Sequence, residues 1–251
     1  MEVHVIKGFI QSLYLIEYED KLLLLDSGTI VDVQVVKNFI ENELKRPFLD
    51  LKLVVVTHAH PDHSGGAMEY KRLGVMVVGS ALSNDWYKGL RGLVTYFIDI
   101  LLTYLVFFKT HKKKRFQNIF FSRFVDYDFT LSDEDPLPGF PDWKVVSAPG
   151  HTASDLSLYH QGTQRIYVAD NLIFTRRGII SPYPVNFPKQ YKESLRKYLE
   201  LDIETFLLAH YGERVISKGE LTSFIDDSNF KRVTHTNSLF KILTSLLRFY
   251  R

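Results

Sequence analysis

The run LKLVVVTHAHPDHSGG, residues 51–66, sets an apolar strand directly against three of the chain's nine histidines, an aspartate and a glycine pair. A short apolar run of this kind reads as a strand buried on both faces, which belongs in a sheet covered by helices. Side chains two apart in extended chain point the same way, so His58 and His60 reach one point at the strand's end. Asp62 and His63 follow at the turn into a helix and address a second point close to the first. Gly65 and Gly66 permit the tight turn. Burying three imidazoles and a carboxylate side by side without a cation leaves polar groups uncompensated at a cost of several kcal/mol. The chain has no cysteine, so histidines and carboxylates are its strong metal ligands and disulfides are excluded.

Around this run the pattern alternates strand and helix. Val3, Val5, Leu13 and Leu15 suggest two strands, and KLLLLD at 21–26 a buried third. Residues 32–45 place Val33, Val36, Phe39, Ile40 and Leu44 at helical spacing ahead of Pro47. Ala67–Leu73 reads as a helix and GVMVVGS, 74–80, as another buried strand. From about 142 the order partly recurs, with WKVVSAP, LSLYH and QRIYVAD as strands, a helix near 189–200, and ETFLLAH as a strand. His151, Asp170 and His210 each stand where one of these strands gives way to a loop. In sheets flanked by helices, that edge is where sites are assembled from separate segments. His4, His111, His160 and His235 read as ordinary hydrogen-bonded residues.

Residues 81–130 break the rhythm. Their core, GLVTYFIDILLTYLVFF, carries one charge in seventeen residues. Arg91, Thr95, Asp99 and Thr103 recur every fourth position and draw a polar stripe along a helix. The expectation is a helical cap over 83–115 that covers the site or pairs two subunits. Its apolar positions 90, 93, 94, 97, 98, 101, 102, 105 and 108 should be buried and Asp99 should face water. A transmembrane anchor is not expected, because Asp99 would sit near the bilayer centre, although lipid contact through 90–115 is compatible with the pattern. The basic run KTHKKKR, 109–115, reads as solvated, and residues 231–251 as a helix packed on the core.

In motif and order the chain resembles the metallo-β-lactamase superfamily. Its H-x-H-x-D-H is His58, His60, Asp62 and His63, followed by His151, Asp170 and His210, with the early aspartate of LLLLDSG as Asp26. Seven positions in order are far more specific than a lone H-x-H. The resemblance covers roughly residues 2–215 apart from 81–130. It implies an α/β fold (α+β in some schemes), a four-layer αβ/βα sandwich with two metals at one edge, as a single domain over 1–251 with the cap inserted. Carried over, His58, His60 and His151 hold the first metal, Asp62, His63 and His210 the second, Asp170 bridges, a hydroxide lies between, and Asp26 orients a ligand histidine. Zinc is expected, two per chain, with iron or manganese accepted by a carboxylate-rich set. Asn171, Tyr183 and Tyr211, beside ligands or in SPYPVNFP, are candidate donors to the attacked oxygen.

The ligand set without cysteine resembles that of glyoxalase II, lactonases and phosphodiesterases. The expected activity is hydrolysis of an ester, thioester or lactone of a small, apolar substrate, which the 90–108 segment would suit as a lid. A mononuclear iron persulfide dioxygenase and a phosphodiesterase or nuclease are the alternatives. No region matching the larger glutathione-binding part of glyoxalase II follows the His210 strand, which argues against a glutathione thioester. A formal net charge of +2 gives no broad footprint for nucleic acid. MEVHVIKGFIQS has no apolar stretch after a basic start, so a cytoplasmic protein is expected, and the apolar face of the cap would allow a homodimer.

Overall fold

The computed structural model describes residues 1–110, 115–176, 178–234 and 237. Strands β1 (Glu2–Lys7), β2 (Ser12–Glu17) and β3 (Leu22–Leu25) form an antiparallel meander. Helix α1 (Asp32–Asn38), extended by a π-helical stretch over Phe39–Glu43, returns the chain so that β4 (Leu51–Val56) lies parallel to β3. Short helices α2 (Pro61–Ser64) and α3 (Ala67–Arg72) lead to β5 (Met76–Ser80), parallel to β4. The long helix α4 (Gly89–Thr110) fills the insertion before β6 (Phe129–Leu131) completes a six-stranded sheet in the order β1-β2-β3-β4-β5-β6.

The second sheet starts with β7 (Pro136–Leu137), β8 (Phe140–Ser147), β9 (Leu156–His160) and β10 (Arg165–Tyr167). A separate hairpin, β11 (Ile173–Thr175) and β12 (Gly178–Ile180), precedes α5 (Pro188–Glu200). Helix α5 brings β13 (Thr205–Leu208) parallel to β10, and β14 (Gly212–Arg214) and α6 (Lys218–Asp227) follow. The order is β14-β13-β10-β9-β8-β7.

Strand alternation explains the layering. Leu23, Leu25, Leu53 and Val55 point between the sheets and meet Trp143, Val145, Leu158, Tyr167 and Leu207. Their neighbours Leu22, Leu24, Val54 and Val56 point outward onto Val33, Val36 and Tyr70. The outer face of the second sheet packs Ile166, Phe206 and Leu208 against Tyr191, Leu195 and Leu221. Two apolar faces per strand require cover on both sides, and the result is helix, sheet, sheet, helix, the expected sandwich. The sheets are tied at one edge. Tyr14 donates its hydroxyl to the Leu208 carbonyl at 2.9 Å, Ser12 N–H bonds the Ala209 carbonyl at 2.6 Å, and Leu156 N–H bonds the Thr57 carbonyl at 3.2 Å. The ends of β4, β10 and β13 therefore meet there.

The insertion is helical, but its orientation reverses the expectation. None of positions 90, 93, 94, 97, 98, 101, 102, 105 and 108 is buried, and Leu90, Val94, Phe97, Leu101 and Phe108 are exposed. Asp99 and Thr103, assigned to the water side, are only 3% and 5% exposed. The helix is held by its tyrosine edge. Tyr96 and Tyr104 donate to the carbonyls of Phe121 and Gln117 at 2.8 and 2.7 Å, while their rings, with Ile100 and Phe107, pack on Phe9 and Ile119. Aromatic rings with a polar tip bury favourably when that tip finds an acceptor. Asp99 finds donors too, so its burial becomes tolerable. Residues 111–114 of the basic run, and the helix expected over 231–251 beyond residue 234 apart from Asn237, lie outside the described residues.

Candidate metal centre

The first four site residues arrive in one turn. After β4, His60 remains extended at φ −64°, ψ 154°, and Pro61 occupies the first turn of α2, where its lack of an N–H costs nothing. That sharp change of direction sends His58 and His60 one way and Asp62 and His63 the other. The glycine pair acts differently from the expectation. Neither glycine is left-handed, but a Cβ on Gly65 would lie 2.2 Å from the Pro61 carbonyl oxygen, and one on Gly66 2.6 Å from that of Ser27. They let α2 press against the loop after β3. His151 comes from the loop after β8, Asp170 from the end of β10, and His210 from the end of β13.

These seven side chains converge in two groups. In the first, Nδ1 of His60 lies 3.0 Å from Nε2 of His58 and 3.0 Å from Nε2 of His151, with Oδ2 of Asp170 3.5 Å from the latter. In the second, Nε2 of His63 is 3.5 Å from Oδ2 of Asp62 and 3.2 Å from Oδ1 of Asp170. His210 Nε2 is 3.4 and 3.1 Å from the same two oxygens. Four donors about 2.0–2.1 Å from one tetrahedral cation stand about 3.3 Å apart, so both groups have the spacing of ligands around a common centre. Asp170 turns one oxygen to each group.

The far nitrogens decide the tautomers. Nδ1 of His151 faces the Pro184 carbonyl at 2.7 Å, Nδ1 of His210 the Ile10 carbonyl at 3.3 Å, and Nδ1 of His63 the Asp26 carboxylate at 2.7 Å. Each acceptor takes the Nδ1 proton and leaves Nε2, the nitrogen a metal would take, facing inward. The inward nitrogens of His58 and His151 each stand 3.0 Å from Nδ1 of His60, so one cation could take a lone pair from all three rings. His63 Nε2 and Asp170 Oδ1 are fully buried yet make no well-formed hydrogen bond. The residues present therefore fit two metal ions.

The charge distribution agrees. Burial lowers His63, but Asp170, Asp62 and Asp26 outweigh it and hold the imidazole well above its usual value. Burial likewise opposes, and Asp170 and Asp62 enforce, a rise of His210 to about 9. Burial and the adjacent His63 and His151 drive His58 well below the ordinary range. The second group attracts positive charge, as protons or as metal.

Of the other residues singled out, Asp26 is fully buried and accepts from Thr57 and Tyr167 as well as His63. Tyr183 lines the cavity over the site. Asn171 is turned away, its amide donating to the Ala148 carbonyl at 2.9 Å and the Tyr198 hydroxyl at 3.1 Å. Tyr211 is half-exposed, stacked under the Arg214 guanidinium 4.3 Å from its ring, and is not in the cavity wall. Ser64 ends α2 and donates its hydroxyl to the Ala59 and His60 carbonyls.

Two residues the pattern did not reveal are near the site. Asp155 accepts from Gly150 N–H, Thr152 N–H and the Thr152 hydroxyl, shaping the loop that presents His151. Asp99 accepts from Tyr87 at 2.9 Å and Trp86 at 3.4 Å, and its Oδ2 lies 3.8 Å from Nε2 of His60, the nitrogen facing away from the metal group. Burial, against these hydrogen bonds, pushes Asp99 up to about 8. A T-x-x-D turn is a readable signal for Asp155. None exists for Asp99, whose stripe position suggested water.

Above the groups lies a cavity of about 330 Å³. Its walls include Leu102, Val106 and Asp99 of α4, Ile10, Ile173 and Tyr183. Two facing sheets carry paired His/Asp clusters at their tied edge, a candidate metal centre. The family model described as the metallo-beta-lactamase superfamily matches residues 6–210, and the chain belongs to that superfamily. It is 24% identical over 190 residues to the probable metallo-hydrolase YqjP of Bacillus subtilis (strain 168), a match covering 67% of this chain and 56% of that protein. The chain thus spans little more than half the length of that relative. Among solved structures, the metallo-beta-lactamase family protein TTHA1429 from Thermus thermophilus superposes with a TM-score of 0.67 at 18% identity, over 90% of this chain and 78% of that one. The archaeal superfamily protein ST1585 from Sulfolobus tokodaii gives 0.61 at 17% identity, over 98% and 95%. These likenesses establish the shared fold.

Proposed function

We propose that the chain is a dinuclear metal-dependent hydrolase acting on an ester, thioester or lactone of a small, apolar substrate. The observation that carries this reading is the pair of ligand groups sharing Asp170 at the floor of a cavity whose other walls are largely aliphatic. His58, His60 and His151 would hold one ion, Asp62, His63 and His210 the other, and Asp170 would bridge them. Two divalent ions supply Lewis acidity and lower the pKa of a shared water towards neutrality.

The chain's own residues support water as the nucleophile. The Thr103 and Thr110 hydroxyls in the cavity wall are bonded to helix carbonyls, at 2.9 Å to Asp99 and 2.9 Å to Val106. No serine or cysteine lines the cavity among the described residues. Tyr183, whose hydroxyl donates weakly to the Asn237 carbonyl at 3.4 Å, would turn that hydroxyl to charge developing on the attacked oxygen. Leu102, Val106 and Ile173 would hold the apolar part of the substrate and exclude water. Zinc suits the histidine-rich group, while two aspartates also suit iron or manganese.

Metal analysis of protein purified without chelator tests the first half, with close to two ions per chain expected. A protein that remained metal-free at saturating zinc would defeat the reading, and a single iron would favour the dioxygenase alternative. A panel of thioesters, lactones, simple esters, phosphodiesters and lactams on the metal-loaded protein tests the second half.

A further inference from the structure

The outer face of α4 is unexplained by the site. Leu90, Val94, Phe97, Leu101 and Phe108 lie along one line of the helix and are 43–78% exposed. Phe116 and Phe120, 66% and 47% exposed, extend the patch. The Phe120 ring is 6.4 Å from Phe97, and the Phe116 ring 4.9 Å from Tyr104. The exposed line of α4, with Phe120 beside Phe97 and Phe116 beside Tyr104, is an apolar face that marks a contact surface.

The charges around the patch select its occupant. From residue 85 to 126 the chain carries eight Lys and Arg, three of them at 112–114 outside the described residues, against the exposed Asp85 and Asp126 and the buried Asp99. The whole chain has a formal net charge of only +2, so positive charge is concentrated here. Arg91, Lys109 and Arg115 are exposed at the two ends of the patch, with Lys88, paired to Asp85 at 3.4 Å, beside Arg91. A second copy on a two-fold axis would oppose this cationic rim with an identical one, which disfavours a dimer through the face.

We propose that the α4 face docks the protein on an anionic lipid bilayer, its phenyl and leucyl groups entering the interface and its cations meeting the headgroups. Helix α4 is long and apolar enough to cross a membrane by length and composition alone. Its other side is committed to the protein, with Tyr96, Asp99, Ile100, Thr103, Tyr104 and Phe107 buried. The helix therefore lies on the surface rather than through it. At about 100° per residue, Asp99, Thr103, Val106 and Thr110 sit opposite the exposed line, so α4 is the roof of the cavity and the bilayer contacts its outer side. This inference does not depend on the reaction or on bound metal.

The test is co-sedimentation of the full chain with vesicles of phosphatidylcholine alone and of phosphatidylcholine with phosphatidylglycerol. Binding to the anionic vesicles, weakened by added salt, is expected, with little binding to the neutral ones. The double variant Phe97→Glu, Leu101→Glu alters exposed positions only. It should lower partitioning by about a hundredfold, while melting temperature and metal content stay those of the parent. A second pair, Arg91→Gln with Lys109→Gln, should reduce partitioning and flatten its salt dependence. Absence of binding to anionic vesicles, or unchanged binding by the Glu variant, would overturn the proposal. So would a light-scattering dimer split by the Glu variant, which would assign the face to a second copy. Resistance of the bound protein to alkaline carbonate would instead show insertion and overturn it equally.

Discussion

Asp26 offers the most stringent test of how the site is supported. Its Oδ1 accepts from the Thr57 N–H at 2.8 Å, and its Oδ2 from His63 Nδ1 at 2.7 Å and the Tyr167 hydroxyl at 2.6 Å, with no solvent exposure. Asp26→Ala leaves those three donors buried and unmet, at about 1–3 kcal/mol each. The total, about 3–9 kcal/mol, rivals the stability of a whole domain. Asp26→Asn is the more informative change. Residue 26 has φ 65°, which asparagine tolerates, and the amide keeps one acceptor oxygen while turning an NH₂ towards at least one donor. The expected loss is about 1–3 kcal/mol of stability, and about 10–100-fold in metal affinity, because a supporting acceptor has been weakened. Since the contact is with His63, that loss should fall on the group of Asp62, His63 and His210 and spare the group of His58, His60 and His151. Calorimetric metal titration resolves the two steps, and thermal melts of metal-free protein report the stability change. An Asn variant with both affinities intact, or an Ala variant melting at the parent temperature, would refute the reasoning.

Asp170→Ala should lower total metal content further than Asp26→Asn, because its two oxygens face both groups; elemental analysis after dialysis decides. Metal binding to the second group must displace protons from His63, held well above its usual value, and from His210, near 9. Its affinity should therefore rise with pH at least up to about 9, with proton release on uptake measurable by titration in buffers of different ionisation enthalpy. Ser64→Ala and Ser154→Ala should retain turnover with both ions bound, and loss of turnover would point to a protein nucleophile. Tyr183→Phe should cost roughly 10²-fold in rate if its hydroxyl meets the attacked oxygen. Asn171→Ala should act on stability through its contacts with Tyr198 and Ala148, and unchanged kinetics for Tyr211→Phe would leave that ring as packing on Arg214.

What could be read from sequence was what is decided over a few residues. A buried strand followed by H-x-H-x-D-H and a proline-started helix fixes the directions of four side chains by strand period and helix entry alone. LLLLD carries its alternation into two cores and ends on Asp26 for the same local reason. The partners of these residues lie far along the chain. That His151, Asp170 and His210 come to the same point depends on β10 pairing in parallel with β13 and on backbone bonds between the two sheets. Short elements such as β6, the β11–β12 hairpin, β14 and α6 carried too little periodicity to be seen, and long-range pairing or packing holds them in place.

The insertion shows the limit most clearly. An amphipathic pattern identifies two faces of a helix but not which one faces the protein. Counting apolar residues selected the leucine and phenylalanine face. In the folded chain the tyrosine edge and Asp99 face inward, because hydroxyls found carbonyls and the carboxyl group found Tyr87 and Trp86. Sequence determined that the chain makes a helix there. Tertiary structure decided which side to bury, because the energy of a buried polar group depends on a partner that only the completed fold provides.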